Sequence, residues 1–187
     1  MKTALFVPGS GEGLQSRDYA TVLKAIESKG YKVKFVPITW PRTTLDKWVA
    51  ELMAVYDTYD AEDTILAGFS WGAMTAFVAA TMRTPSELWL FSLSPYFAED
   101  LPRLKRSWLR QNGHRRVSAF HDVSFNKLAP KIACPVKLFA GENESETIMH
   151  RLDEASKRLK EASRTYAKGA GHEIDHPGYI LAIKGNI

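Results

Sequence analysis

Thr64-Ile65-Leu66-Ala67-Gly68-Phe69-Ser70-Trp71-Gly72-Ala73-Met74 is the stretch whose reading decides the fold. Thr64 to Phe69 is apolar without alternation, which predicts a strand buried on both faces, as in a parallel sheet. Trp71 to Arg83 predicts a helix. Only Ser70 separates the two, with Gly68 and Gly72 two residues to either side, so the chain must turn from strand to helix almost at once. Small neighbours let the backbone fold that closely. Such a turn lifts the serine hydroxyl off the end of the sheet and aims a helix N-terminus at it.

Working outward, the same strand-then-helix rhythm recurs. Thr3 to Pro8 predicts a first strand. A helix over 16–29 follows, with Tyr19, Val22, Leu23 and Ile26 on one face, Ser16 as its N-cap and Gly30 as its stop. Tyr31 to Ile38 predicts a second strand, and Leu45, Trp48, Val49, Leu52 and Tyr56 a second helix capped by Thr44. Beyond the quoted stretch, Glu87 to Leu93 and Pro135 to Ala140 read as strands. A helix near 146–163 with Ser145 as its cap, a strand from Arg164 to Lys168 and a last helix from Gly178 to Lys184 complete the pattern. The expected fold is one α/β domain over 1–187: a doubly wound, mainly parallel six-stranded sheet with helices on both faces. The one break in rhythm is an excursion at about 95–134, expected to hold a helix presenting Leu101, Leu104 and Trp108 on one side. In a doubly wound sheet it rises from the carboxyl ends of the strands, where such folds bind ligands.

The 187 residues leave room for little beyond that core and excursion. One cysteine, Cys134, excludes an internal disulfide and any cysteine-based zinc cluster. No apolar run approaches the ~20 residues that span a bilayer, and no signal-peptide pattern is visible, so the expected location is the cytoplasm. The net charge of +4 is local. Residues 101–121 carry six basic residues (Arg103, Lys105, Arg106, Arg110, Arg115, Arg116) and no acid, whereas the other 166 carry 19 basic and 21 acidic ones. This argues against nucleic-acid binding by the domain as a whole. The basic segment is either a solvated helix face or a small cap whose fringe favours anionic substrates, or makes weak contact with an anionic membrane surface through 101–116.

A nucleophilic serine needs a base and an acid to orient it. His172 follows the last predicted strand in Gly169-Ala170-Gly171-His172, at the sheet edge that carries Ser70. His150 lies in a charged helix, and nothing orients His114 or His121. Glu142 and Glu144 follow the fifth strand in Gly141-Glu142-Asn143-Glu144, and the chain order is nucleophile, acid, base. Both glutamates also suit the N-terminus of the helix after Ser145.

With these motifs in this order, the chain resembles a small α/β-hydrolase over nearly its whole length. The resemblance implies a serine hydrolase with Ser70 as nucleophile, His172 as base and Glu144 as the acid, three residues past the strand-ending glycine. Glutamate stands there where aspartate is more usual, and Glu142 is the alternative. Asp100 and Asp122 are remote choices. The resemblance further implies an oxyanion hole from the backbone N–H groups of Trp71 and Ser10, the latter in Val7-Pro8-Gly9-Ser10-Gly11. Pro8 occupies a position where many members carry histidine, a change that leaves a backbone donor intact. The chain would start at the family's third strand and need no metal or organic cofactor. Gly9, Trp40, Tyr96, Phe97 and Trp108 are the expected substrate-pocket residues.

Competing motifs are weaker. Gly9-Ser10-Gly11-Glu12-Gly13 is followed by Leu14, where a dinucleotide fingerprint needs glycine, and no phosphate-loop pattern exists. His172-Glu173-Ile174-Asp175-His176 matches the zinc-protease pattern. Pro177 disfavours a helix through His176, and no ligand-type residue follows it. His176 then reads as loop surface or a reserve base, and Cys134 as a small core thiol. The expected activity is hydrolysis of a small-molecule ester or thioester through an acyl-enzyme, with amidase or haloperoxidase-like chemistry open to the same triad. The alternative is a catalytically silent relative that binds a small ligand or an anionic surface. Oligomeric state is not legible.

Overall fold

The computed structural model describes residues 1–16 and 18–187. Six parallel strands form one sheet: β1 (Thr3–Val7), β2 (Lys32–Phe35), β3 (Thr64–Phe69), β4 (Glu87–Phe91), β5 (Val136–Gly141) and β6 (Ala162–Ala167), in the order β2-β1-β3-β4-β5-β6. The chain first moves outward from β1 to β2, then returns and proceeds the other way through β3. The reversal falls between β1 and β3, and the crevice above that point is where a doubly wound sheet offers a site.

Alternation along the buried strands divides the core into two layers. Leu5, Val7, Leu66, Leu88, Leu90 and Leu138 point to one face, covered by α2 (Leu45–Tyr56), α3 (Trp71–Ala80) and α7 (Glu146–Arg158). Ala4, Phe6, Ile65, Ala67, Trp89 and Phe91 point to the other, covered by α1 (Tyr19–Glu27) and α8 (Pro177–Asn186). Helix α3 is apolar all round because it is enclosed all round: every residue but Val78 is buried.

The ends of elements depart most from the sequence reading. Helix α1 begins at Tyr19, not at 16, because Asp18 supplies the cap by accepting from the Thr21 N–H at 3.1 Å. Ser16 instead accepts from the Gly13 N–H at 2.8 Å and shapes the loop. Neither Thr44 nor Ser145 caps through its side chain, although each sits at the start of its helix. The excursion, expected as a helix and an irregular stretch, holds several short helices. It comprises a short 3-10 turn at Leu101–Arg103, α4 (Arg106–Asn112), α5 (His114–His121), α6 (Phe125–Leu128) and a second 3-10 turn at Ala129–Lys131. Gly113, at φ +77°, breaks α4 from α5. Leu101 and Leu104 are buried as expected, while Trp108 is only partly covered.

A buried ion pair fastens the excursion to the body. Arg151, on α7, donates through Nε to Asp100 Oδ2 at 2.9 Å and through its Nη2 to Oδ1. The guanidinium lies 4.4 Å from the Phe125 ring centroid and 5.2 Å from that of Phe97. Burial pushes the Asp100 carboxyl up, and the hydrogen bonds and charge of Arg151 pull the other way.

Candidate active site

Steric crowding builds the site. A side chain at Gly68 would sit 2.3 Å from the Gly72 carbonyl, and one at Gly72 would sit 2.2 Å from the carbonyl oxygen of Val7. The two motif glycines therefore let strand, turn and helix close on each other and on the end of β1. Ser70 takes φ 56° and ψ −116°, a backbone conformation that side chains rarely adopt. Its own N–H is held by the Phe91 carbonyl at 2.9 Å.

The same device operates at the far edge. A side chain at Gly141 would meet the Gly171 carbonyl at 2.3 Å and that of Ala170 at 2.5 Å. Its absence lets the turn after β5 lie against the loop after β6. Asn143 N–H donates to the Ala170 carbonyl at 2.8 Å, and its side-chain amide to the Gly169 carbonyl at 3.2 Å. Glu142 accepts from the Gly169 N–H at 2.9 Å. Its carboxylate thus serves as a clamp on the histidine loop.

Glu144 is the glutamate that faces His172. Nδ1 of His172 lies 2.9 Å and 3.1 Å from the two carboxylate oxygens, and Nε2 lies 2.9 Å from Ser70 Oγ. A carboxylate can only accept, so Nδ1 carries the proton and Nε2 is left to accept from the serine hydroxyl. The Glu144 side chain is 1% exposed and that of His172 38%, so the acid is sealed and the base stands at the mouth. The imidazole lies tilted against Phe69, at 4.8 Å between ring centroids.

Three groups at this site were not singled out from sequence. Ser92, in the left-handed region at φ 47°, donates from Oγ to Glu144 Oε1 and is bonded in turn by the Tyr179 hydroxyl from α8. Burial pushes the Tyr179 phenol well above its ordinary range, which keeps it a neutral donor. Ser94 is 2% exposed, with its Oγ 3.2 Å from Ser70 Oγ. Polar residues in Ser92-Leu93-Ser94-Pro95, at the carboxyl end of an apolar strand, are the signal that could have found them.

The loop after β1 is held by Glu12. Its carboxylate accepts from the Gly9 N–H at 3.1 Å and from the Tyr19 hydroxyl, and its carbonyl accepts from the Trp40 indole at 3.3 Å. The N–H groups of Ser10 and Trp71 have no acceptor among the described residues, whereas that of Gly9 is taken.

A cleft of about 520 Å³ opens over Ser70 and His172, with Trp71, Ser94, Tyr96, Trp108 and Ile148 among its walls. Three expected pocket residues lie elsewhere. Phe97 is fully buried between Phe77 and Phe125. Trp40 is 4% exposed, packed edge-on against Trp48 and Trp71 with its indole spent on the loop carbonyl. Gly9 belongs to the loop after β1 and not to the cleft wall.

The remaining candidates fall outside. His172 and His176 share no helix; His176 is the N-cap of α8, its Nδ1 accepting from the Gly178 N–H at 3.0 Å. Among the described residues no cluster of three metal-ligating side chains occurs. Cys134 is buried, its thiol pushed up to about 11 by burial, so it is a poor nucleophile. No described helix is long and apolar enough to cross a membrane.

This architecture is the α/β-hydrolase fold. No protein-family model and no curated protein matches the sequence. Solved structures do match by shape. Est1E from Butyrivibrio proteoclasticus superposes with a TM-score of 0.82 at 19% identity, over 98% of this chain and 86% of that one. Mouse alpha/beta hydrolase domain-containing protein 10 gives 0.78 at 15%, over 97% and 86%. The thioesterase domain from the curacin biosynthetic pathway gives 0.64 at 15%, over 97% and 89%.

Proposed function

We propose that the chain is a serine hydrolase that cleaves a carboxylic ester or thioester through an acyl-enzyme on Ser70. The observation that carries this reading is the unbroken line from Glu144 through His172 to Ser70, with 2.9 Å at both junctions. The structural neighbours support the chemistry: two are described as an esterase domain and a thioesterase domain, and Est1E has been seen with ferulic acid bound.

In this mechanism His172 Nε2 takes the Ser70 proton as Oγ attacks the acyl carbon. The negative charge that develops on the carbonyl oxygen is met by the N–H groups of Trp71 and Ser10, at about 3–4 kcal/mol per donor. The imidazolium, steadied by Glu144, then protonates the leaving alcohol or thiol, and the acyl group stays on Ser70. Water repeats the attack with His172 again as base; the carboxylic acid departs and the serine regains its proton. Ser94, beside Ser70 Oγ, is placed to hold the nucleophile's orientation before attack.

A panel of esters and thioesters of graded acyl length, run with the native chain and Ser70→Ala, tests the reading. The native chain is expected to turn over short acyl esters and to be labelled at Ser70 by a fluorophosphonate. The alanine variant is expected to do neither. Retention of full activity by Ser70→Ala overturns the proposal.

A further inference from the structure

The arginines of this chain sort by location. Of the ten described, Arg83, Arg151, Arg158 and Arg164 each pair with a carboxylate. The six without one are Arg103, Arg106, Arg110, Arg115 and Arg116 on the excursion, and Arg42 on the loop that faces it. Among the described arginines, those without a carboxylate partner thus gather on the excursion and the loop facing it, and part of that region adjoins Ser70.

The geometry there is concave. A hollow of about 470 Å³ is walled by Arg42, Thr43, Asn112, Gly113, His114, Arg115 and Arg116, with no acid among them. Asn112 lines both this hollow and the cleft over Ser70, so the two adjoin at that residue. Arg116 is the anchor. It donates through Nε to the Thr43 carbonyl at 3.0 Å and through its Nη2 to the Trp40 carbonyl, and its guanidinium lies 5.2 Å over the ring of Trp71, the residue next to the nucleophile. Arg115 donates to the Arg42 carbonyl at 3.4 Å. That bond holds the two chain segments together without neutralising either charge. Asp46 is near enough for the Arg115 charge to help lower its carboxyl, after the larger effect of its Thr44 hydrogen bond, but it neither pairs with Arg115 nor lines the hollow.

The geometry points to this hollow as an anion subsite. The substrate acylating Ser70 carries a phosphate or carboxylate, several bonds from the scissile carbonyl, that docks between Arg42 and Arg115. Unmatched cations beside a cleft raise the local concentration of an anionic ligand, and their fixed positions favour one orientation of it. The inference rests on the hydrolase reading above for the chemistry, but the binding it requires does not.

Two matched comparisons separate the anions. For phosphate, S-acetyl phosphopantetheine is compared with S-acetyl pantetheine; for carboxylate, the succinyl thioester of N-acetylcysteamine is compared with the butyryl one. The expected result is a kcat/KM about 10-fold higher for at least one anionic member. That advantage should shrink as salt rises from 20 to 500 mM and fall to near one in Arg42→Glu/Arg115→Glu. The arm showing the preference identifies the anion. Calorimetric titration of Ser70→Ala with phosphopantetheine, pantetheine, succinate and butyramide reads binding without turnover and is expected to rank them the same way. If no ester is turned over yet the anions bind and the double variant loses them, the hydrolase reading fails and the subsite stands. If esters are turned over without charge preference, or the preference survives charge reversal, the subsite is refuted and the hydrolase reading stands.

Discussion

The molecule contains two carboxylate–cation contacts at the same end of the sheet, and they are opposites. Asp100–Arg151 is sealed on both sides, each side chain 3% exposed, with a cation that cannot give up its proton. Glu144–His172 is sealed on the acid side only, and in the mechanism proposed above its cation forms and vanishes as a proton moves. The first locks α7 to the excursion; the second is built to change charge. One kind of contact thus serves as a fastening or a proton relay according to which partner is exposed and which can titrate.

Four tests break or sharpen that contrast. Glu144→Gln keeps the shape and removes the counter-charge, so kcat/KM is expected to fall by about 10^4-fold, measured on the best substrate of the ester panel. Arg151→Met should do the reverse. It leaves Asp100 buried and unpaired, at a cost of about 3–5 kcal/mol in unfolding free energy, read by urea denaturation, while kcat of the folded fraction stays near native. Adding Asp100→Leu to Arg151→Met should recover most of that loss, since an apolar pair of similar volume replaces a desolvated ionic one. Failure to recover means the pair specifies the seat of the excursion. The smallest effect is expected from Ser92→Ala, about 10-fold in kcat with little change in KM. A loss carried by KM would show that Ser92 shapes the cleft instead of fixing Glu144.

What could be read in advance follows the range of the interaction. The elbow is local chemistry: Gly68, Ser70 and Gly72 dictate their own turn, and the strand and helix around them are too apolar to be anything else. Glu144 and His172 were legible because each follows a strand of a parallel sheet, and all such strands end on one side. Ser92 and Tyr179 are 87 residues apart and meet only because α8 folds back against β5 and β6. Arg151 was not singled out: it stands beside His150 in a charged helix, and nothing local announces its burial. Trp40 and Phe97 were misplaced for a related reason: aromatic residues near a strand end suit a pocket wall and a core equally, and only tertiary packing chooses. Beyond the helix around Trp108 the excursion read as irregular, because its further helices α5 and α6 are only eight and four residues long, too short for a clear period.

The contact between Gly72 and the end of β1 has a consequence for divergence in chains of this kind. The approach of the elbow to the first loop, and with it the spacing of the two N–H groups proposed to bind the oxyanion, depends on a gap too narrow for a methyl group. A methyl group at position 72 would meet the Val7 carbonyl oxygen at 2.2 Å and that of Pro8 at 2.3 Å, so the elbow and the first loop would have to part without any change to Ser70, His172 or Glu144 themselves. Activity can therefore vanish from such a chain while every residue by which one recognises an active enzyme is still there. The position to inspect first in an inactive homologue is the glycine two residues after the serine.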